Sequence, residues 1–197
     1  MDKYTHLLWT DLETTGTDEV FDPIIEIGWV LTDYHADEVI NGGSRLVYSP
    51  HTGERLAIND FVRRMHEENG LTEALGDVDP ADNAASVAVD LVNILRSLDV
   101  VPHKIVIAGS GVAHFDRRFI HTQMPALDKF LAYPAFDVGI LRRMLGPLDL
   151  QWVYDQVSPL RPQTKAHRAY DDALDHLREF QQYRTVINEY MSPPESD

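Results

Sequence analysis

One short segment in the middle of the chain, residues 104–111 (KIVIAGSG), constrains the fold more than any other. Its continuous apolar run predicts a β-strand buried on both faces, and such a strand needs a covering layer on each side of its sheet. Three more strands are predicted at 6–13, 23–33 and 43–49, the last after an Asn-Gly-Gly turn signal at 41–43. Their short connections favour an antiparallel meander.

The rest of the chain has the apolar periodicity of helices. Apolar residues recur at helical spacing over 84–98, and a longer stripe of the same kind covers 170–180. Residues 115–124, 125–131 and 138–145 are also predicted to be helical. The order βββαβα, followed by a helical tail, indicates an α/β fold in which helices cover a mixed sheet.

Length and composition are those of one globular domain. The chain has 197 residues, of which 44% are hydrophobic and 25% charged. We assign residues 1–191 to a single domain and expect 192–197 (SPPESD) to be a disordered tail. The first residues are polar and lead into only a short apolar run, so neither a signal peptide nor a membrane span is expected, and the default location is the cytoplasm.

Charge and cysteine content exclude two kinds of site. The formal net charge of −15 argues against a broad basic face that coats long nucleic acid. It does not exclude a small site for a phosphodiester in which bound cations balance part of the acidic charge. The chain has no cysteine, which excludes disulfides and thiolate metal sites.

Two acids stand at the end of the first predicted strand, where burying an unpaired charge costs free energy. Asp11 and Glu13 are two positions apart, so their side chains point to the same side of the strand. Convergent carboxylates suit Mg²⁺ or Mn²⁺. For this pair alone, two surface acids at an exposed strand end are as good an interpretation as a metal site.

Further acids and a histidine occur at two other element boundaries. Asp116 follows the buried strand through a glycine-rich loop, and on its own it fits an acid at a helix start better than a metal ligand. We expect His167 in the loop before the final helix and Asp172 in the first turns of that helix. Asp171 is then the helix-start acid, while a lone loop histidine is usually solvated.

Taken together, the three boundary segments resemble the motifs of the DEDDh family of 3′→5′ exonucleases. They are DLETTG (11–16), GVAHFD (111–116) and HRAYDD (167–172). The resemblance extends from about residue 6 to about residue 185. It implies an RNase H-like, DnaQ-like α/β fold with a five-stranded mixed sheet flanked by helices. It also implies metal-dependent release of nucleoside 5′-monophosphates from the 3′ end of short or single-stranded RNA or DNA.

The resemblance assigns a role to each motif residue. It implies that Asp11, Glu13 and Asp172 hold one of two Mg²⁺ or Mn²⁺ ions in the site. Asp11 also bridges to the second ion, which Asp116 supports directly or through water. His167 takes the proton from the attacking water, a task for which histidine, with an ordinary pKa of about 6.5, is suitable in general.

Substrate contacts are predicted around the first motif and after the third strand. Thr14 and Thr15 are candidates for contacting the terminal 3′ nucleotide. Phe61 is a candidate for stacking on a base, although a core or surface aromatic fits this residue better on its own. His66 is a candidate for contacting a phosphate, with a histidine on a helix surface as the alternative. Glu26 stands among apolar residues (IIEIG) and is interpreted as structural.

Residues 65–71, 115–127 and 136–144 resemble the oligoribonuclease branch of the family most, with departures at three positions and a longer loop before Asp116. Thr17 replaces an apolar wedge residue of that branch, Phe61 replaces a tryptophan, and Pro134 follows Tyr133 where the branch has a Tyr-Arg pair. A strict preference for dinucleotides therefore does not follow from the resemblance. Several relatives pair through the Tyr133 region, which predicts a homodimer.

Two other functions compete with an oligoribonuclease-like enzyme. The first is a catalytically silent nuclease-fold protein that binds nucleic acid. Such proteins usually lose an acid or the histidine, whereas all five positions are filled here. The second is a DNA-proofreading exonuclease beside a polymerase, for which the sequence shows no docking segment.

Overall fold

The computed structural model describes residues 3–158 and 167–191, and these form a five-stranded mixed sheet with helices on both faces. The strands are β1 (His6–Thr14), β2 (Ile24–Asp33), β3 (Val39–Leu46), β4 (Ile105–Gly109) and β5 (Ala135–Asp137). Their order in the sheet is β3-β2-β1-β4-β5. β1 and β3 are both antiparallel to β2, whereas β4 is parallel to both β1 and β5. The predicted meander and mixed sheet are confirmed.

The helices of the described residues fill most of the remaining chain. They are α1 (Thr52–Ile58), α2 (Asp60–Glu68), α3 (Leu71–Ala74), α4 (Ala84–Ser97), α5 (Asp116–Gln123), α6 (Pro125–Phe130), α7 (Val138–Met144), α8 (Gln151–Val157) and α9 (Ala169–Met191). The helices predicted over 84–98, 115–131, 138–145 and 170–180 are confirmed. The sequence did not predict α1–α3, because these helices are short and each of them buries a single residue.

The two faces of β1 lie against different layers. Leu8 and Leu12 belong to the larger core beneath α4, α5 and α6. Leu7 and Trp9 point the other way and pack with apolar residues of α9. Because side chains alternate along a strand, Asp11 and Glu13 continue the face that α9 covers. The strand at 104–111 is also confirmed, since all five residues of β4 are buried.

The third strand begins earlier than the sequence predicted. The chain reverses at residues 34–38, where Ala36 has a φ of 58° and the Asp33 carboxylate accepts three backbone N–H groups. Gly42 and Gly43 are therefore inside β3, opposite β2, and not in a turn. A Cβ on Gly43 would stand 3.3 Å from the Trp29 ring, so these glycines serve close packing.

Three further expectations bear on the chain as a whole. Within the described ranges, no helix combines the length and apolar character needed to cross a bilayer. The segment 192–197, predicted to be a tail, lies outside the described residues. The assignment of 1–191 to one domain stays a prediction.

Gly28 lets the start of α9 approach β2 closely, and we expect Gly28→Ala to destabilise the protein. A Cβ there would stand 2.1 Å from the Ala169 carbonyl carbon, which is backbone and cannot rotate away. The free energy of unfolding should fall by about 3 kcal/mol, the upper end for overpacking, as measured by urea denaturation. Gly53→Ala in α1 is the matched control, since nothing lies within 4 Å of its added methyl group. Equal stability of the two variants would contradict this account.

Candidate active site

The first two acids of the site come from the carboxyl end of β1, at the centre of the sheet. Asp11 and Glu13 lie on the α9 side of the strand, and Glu13 is buried. A glycine-containing turn follows at once, where the Thr14 hydroxyl donates to the Gly16 carbonyl oxygen at 2.6 Å. The strand end is therefore fixed by local hydrogen bonding.

The third acid, Asp116, is the first residue of α5 and is buried. Its carboxylate accepts the backbone N–H of Leu12 at 3.0 Å, so it is held against the end of β1 that carries Asp11 and Glu13. Gly109 makes this approach possible, because a Cβ there would stand 2.7 Å from the Thr10 carbonyl oxygen. The loop after β4 is further held by Asp137, which accepts the Gly111 N–H at 3.1 Å.

The last two residues of the set come from the start of α9. Asp172 lies in the first turn and is buried, whereas Asp171 beside it is exposed. His167 precedes the helix with a φ of 48°, in the left-handed region. Its carbonyl oxygen accepts a hydrogen bond from the Asn69 side chain. The placements of His167 and Asp172 agree with those expected from the sequence.

All five of these side chains line one cavity of about 300 Å³. Ligand atoms of Glu13, His167 and Asp172 lie within 4.8 Å of one another. Asp11 and Asp116 add two more carboxylates to the same cavity. A donor set dominated by carboxylate oxygens is suited to a hard divalent cation. The site therefore fits the metal that the motifs imply.

Thr14 and Thr15 have different surroundings. Thr14 lines the cavity, and its role as a substrate contact stays a prediction. The Thr15 side chain is fully buried, and its hydroxyl donates to the Asp22 carboxylate at 3.4 Å. Asp22 is also bound by Arg55. Thr15 therefore holds the loop after β1, and the structure does not support its hydroxyl as a substrate contact.

His66 was expected to contact a phosphate, but it is fully buried beneath the site. Its Nε2 donates to the Thr14 carbonyl oxygen at 3.2 Å and lies 3.9 Å from the nearest Glu13 carboxylate oxygen. Burial lowers the pKa of His66, although the hydrogen bond to Thr14 opposes this shift. His66 is therefore a neutral side chain that supports the end of β1, and it is not exposed to a phosphate.

The lowered pKa of His66 predicts a loss of stability in mild acid. The unfolded chain takes up the proton near the ordinary pKa of 6.5, whereas the folded chain takes it up at lower pH. The contribution of His66 to the free energy of unfolding is thus complete above pH 6.5. It is lost as the pH falls below that value towards the pKa of His66 in the folded chain. We expect His66→Gln to flatten the pH dependence of the unfolding free energy, measured in urea with EDTA between pH 8 and 5.

His51→Gln is the matched control, because it makes the same replacement at an exposed position. Its free energy of unfolding should vary with pH more steeply than that of His66→Gln. Burial also lowers the pKa of His6, but that group is common to all three proteins and cancels in the comparison. A His66→Gln profile as steep as the unmodified one would contradict the assignment.

A second, larger groove adjoins the cavity along α2. It has a volume of about 690 Å³, and Phe61, Met65, Asn69 and His167 are among its lining residues. The Phe61 side chain is 78% exposed, so its ring is open to a ligand. The sequence alone did not point to Met65 or Asn69 individually, since the only signal was the resemblance of residues 65–71 to the oligoribonuclease branch.

Comparison with known proteins identifies the family. The model of the RNase T exonuclease family matches residues 8–180. The oligoribonuclease of Corynebacterium glutamicum (strain R) is 36% identical over 180 residues, which are 90% of this chain and 78% of that protein. The chain belongs to the exonuclease family. The predicted resemblance to the DEDDh 3′→5′ exonucleases is thereby confirmed.

Further members of this exonuclease family agree with the assignment. The oligoribonuclease of Acinetobacter baylyi is 31% identical over 182 residues, 91% of this chain and 93% of that protein. The probable oligoribonuclease of Caenorhabditis elegans is 30% identical over 182 residues, 92% of this chain and 88% of that protein. The three similarities extend over nearly the whole exonuclease chain.

Solved structures confirm the predicted RNase H-like, DnaQ-like fold of this exonuclease. The zinc-bound complex of E. coli exonuclease I with single-stranded DNA superposes with a TM-score of 0.63 at 18% identity, covering 95% of this chain. The match spans only 42% of exonuclease I. Cell-death related nuclease 4 gives a TM-score of 0.59 at 15% identity, covering 93% of this chain and 65% of that one.

Proposed function

We propose that this exonuclease is a metal-dependent 3′→5′ exonuclease that releases nucleoside 5′-monophosphates from short or single-stranded RNA or DNA. The observation that carries the proposal is the convergence of four carboxylates and one histidine on a single cavity at the centre of the sheet. The similarity of this chain to proteins named oligoribonuclease supports short strands as its substrates. All five side chains of the set are present, which disfavours a catalytically silent binding protein.

The carboxylates form the part of the site that would hold two Mg²⁺ or Mn²⁺ ions. Asp11, Glu13 and Asp172 would hold one ion, and Asp11 and Asp116 the other. When bound, such ions lower the pKa of water and stabilise charge on the phosphoryl oxygens. His167 lines both the catalytic cavity and the α2 groove, so its imidazole can accept the proton of a water that attacks a phosphodiester there.

The second groove suits the nucleotides upstream of the one that is released. It meets the catalytic cavity at Met65 and His167, and it exposes the Phe61 ring. A base can stack on that ring only where it is not paired and stacked within a duplex. The net charge of −15 also opposes binding of long polyanions, whose repulsion grows with length. Both features favour short single strands.

Phe61→Ala is expected to weaken substrate binding without destabilising the fold. Stacking of one base contributes about 1–3 kcal/mol, which corresponds to a rise in KM of roughly 5- to 150-fold. The ring is largely exposed, so the melting temperature should stay unchanged. Phe21→Ala is the control, since Phe21 is also exposed but does not line the groove. Equal KM values for the two variants would remove Phe61 from the substrate site.

The experiment that tests the proposed function is a digestion series. RNA and DNA single strands labelled at the 5′ end, from dinucleotides to about twenty nucleotides, would be incubated with Mg²⁺ or Mn²⁺. We expect stepwise loss of nucleotides from the 3′ end, abolished by EDTA. The length profile separates an oligoribonuclease from a proofreading exonuclease that degrades longer DNA. A folded protein that cleaves none of these strands with either metal would contradict the proposal.

A homodimer and a cytoplasmic location complete the proposal. The Tyr133 side chain is 97% exposed, as suits a residue that a second subunit covers. Sedimentation equilibrium at micromolar concentration should show twice the chain mass. The unmodified protein sedimenting as a monomer would remove the dimer from the proposal.

A further inference from the structure

Glu26 is a buried carboxylate that the proposed chemistry does not use. It lies in β2 directly opposite Glu13 of β1 and is 1% exposed. Residues directly opposite each other on paired strands share a face, so the two carboxylates are neighbours. Like charges in such a pair are unfavourable unless a cation offsets one of them. Glu26 therefore needs a compensating partner of its own.

That partner is Arg168, the residue that follows His167. Its guanidinium binds Glu26 in a fork, with Nε donating to Oε2 at 3.0 Å and Nη2 donating to Oε1 at 2.8 Å. The same carboxylate accepts the backbone N–H of Ala169 at 3.1 Å. Glu26 thus holds both residues after His167 through three hydrogen bonds. Two-point pairing of this kind fixes orientation as well as distance.

The backbone of His167 needs such support. Its φ of 48° lies in the left-handed region that favours glycine, so the backbone of this histidine is strained. Asn69 holds the His167 carbonyl oxygen from the α2 side. Glu26 holds the chain immediately after it from the β2 side. Between these two anchors, the imidazole is directed into the cavity beside Glu13.

We propose that the Glu26–Arg168 pair positions His167 for proton transfer by tying the residues after it to the strand partner of Glu13. Glu26 and Arg168 are positioning residues, because they act through His167 and line neither the cavity nor the α2 groove. The inference rests on the proposed function, in which His167 accepts the proton of the attacking water. A displacement of about 1 Å at such a group costs up to roughly 100-fold in rate.

The first test compares Glu26→Gln with the unmodified enzyme on a short single strand. Glutamine keeps the shape of the side chain but removes the charge that holds the guanidinium. We expect kcat to fall about 10- to 100-fold while KM changes less than about twofold, since Phe61 and the other α2 residues that line the groove stay in place. The rise in melting temperature caused by Mn²⁺ should persist, because the four carboxylates of the cavity remain. A loss confined to KM, or an unchanged kcat, would overturn the proposal.

Asp33→Asn is the matched control. Asp33 stands at the other end of the same strand and also accepts three hydrogen bonds, all of them from backbone N–H groups, but it is remote from the cavity. Its replacement should affect stability and leave kcat unchanged. A kcat loss in Asp33→Asn equal to that in Glu26→Gln would show a general effect of weakening β2, and would overturn a specific role for Glu26.

A double-mutant cycle separates positioning of His167 from anchoring of α9. In a His167→Ala background there is no imidazole to position, so adding Glu26→Gln should lower the residual rate by less than about threefold. Full additivity of the two losses would overturn the proposal. If Glu26→Gln does not fold, Arg168→Lys tests the same ion pair through its partly exposed partner. It keeps the charge but lacks the fork, and it should show the same fall in kcat and the same non-additivity.

These outcomes distinguish the two proposals from each other. An inactive unmodified protein would contradict the proposed function before any variant is compared. An active enzyme whose Glu26→Gln and Arg168→Lys variants keep full kcat would leave the exonuclease function intact and overturn only the positioning role.

Discussion

Replacing His167 by alanine is expected to lower kcat by a factor of about 10²–10⁴, the range that a general base contributes. The imidazole lies with the Glu13 and Asp172 carboxylates, with ligand atoms within 4.8 Å of one another, where an attacking water can give up its proton. KM for a short strand should change little, because Phe61 and the remaining groove stay in place. Single-turnover digestion with excess enzyme measures the residual rate.

The same variant decides whether His167 serves as a base or as a metal ligand. We expect Mn²⁺ to stabilise His167→Ala as much as the unmodified protein, since all four carboxylates remain. His121→Ala is the control, because His121 is exposed and pairs with Asp128 away from the site. A variant that keeps more than about a tenth of the rate would contradict a role as general base. A lost response to Mn²⁺ would instead assign the imidazole to the metal.

Asp172→Asn is expected to remove metal binding and activity together. Asparagine has the shape of aspartate but lacks the charge that a divalent cation needs, and Asp172 is buried in the cavity. Activity should fall roughly a thousandfold or more, since bound metal contributes several kcal/mol to catalysis and each factor of ten is about 1.4 kcal/mol. The digestion assay with Mg²⁺ or Mn²⁺ measures this loss.

Thermal melting gives a readout of the same site that does not depend on activity. A cation at about 100 times its Kd stabilises the folded state by roughly 2.7 kcal/mol, which raises the melting temperature by about 5–10 °C for a chain of this size. We expect this rise in the unmodified protein and its loss in Asp172→Asn.

The exposed neighbour Asp171 offers a matched control for Asp172 on the same helix turn. Asp171→Asn should keep both the activity and the Mn²⁺-induced rise in melting temperature. Identical behaviour of the two asparagine variants would contradict the assignment of Asp172 to the metal site.

The sequence predicted most of the architecture, because apolar periodicity records which side of each element is buried. β4 and α9 were found in this way: β4 is buried along its whole length and α9 carries a long apolar stripe. The short helices α1–α3 were missed for the same reason, since they contribute little to the core. The early start of β3 was missed because an Asn-Gly-Gly segment, usually typical of a turn, lies within the strand.

The motifs by themselves determined which residues were assigned to the candidate site. The five positions that they select are Asp11, Glu13, Asp116, His167 and Asp172. Only the tertiary structure decided what supports them. His66 lies beneath Glu13 and not on a helix surface, and Glu26 holds the residues after His167 from 142 positions away. Such roles depend on which strands pair and on how closely α9 approaches β2. Contacts between distant segments leave no local pattern in the chain, since they arise only when the sheet and the helix layer have assembled.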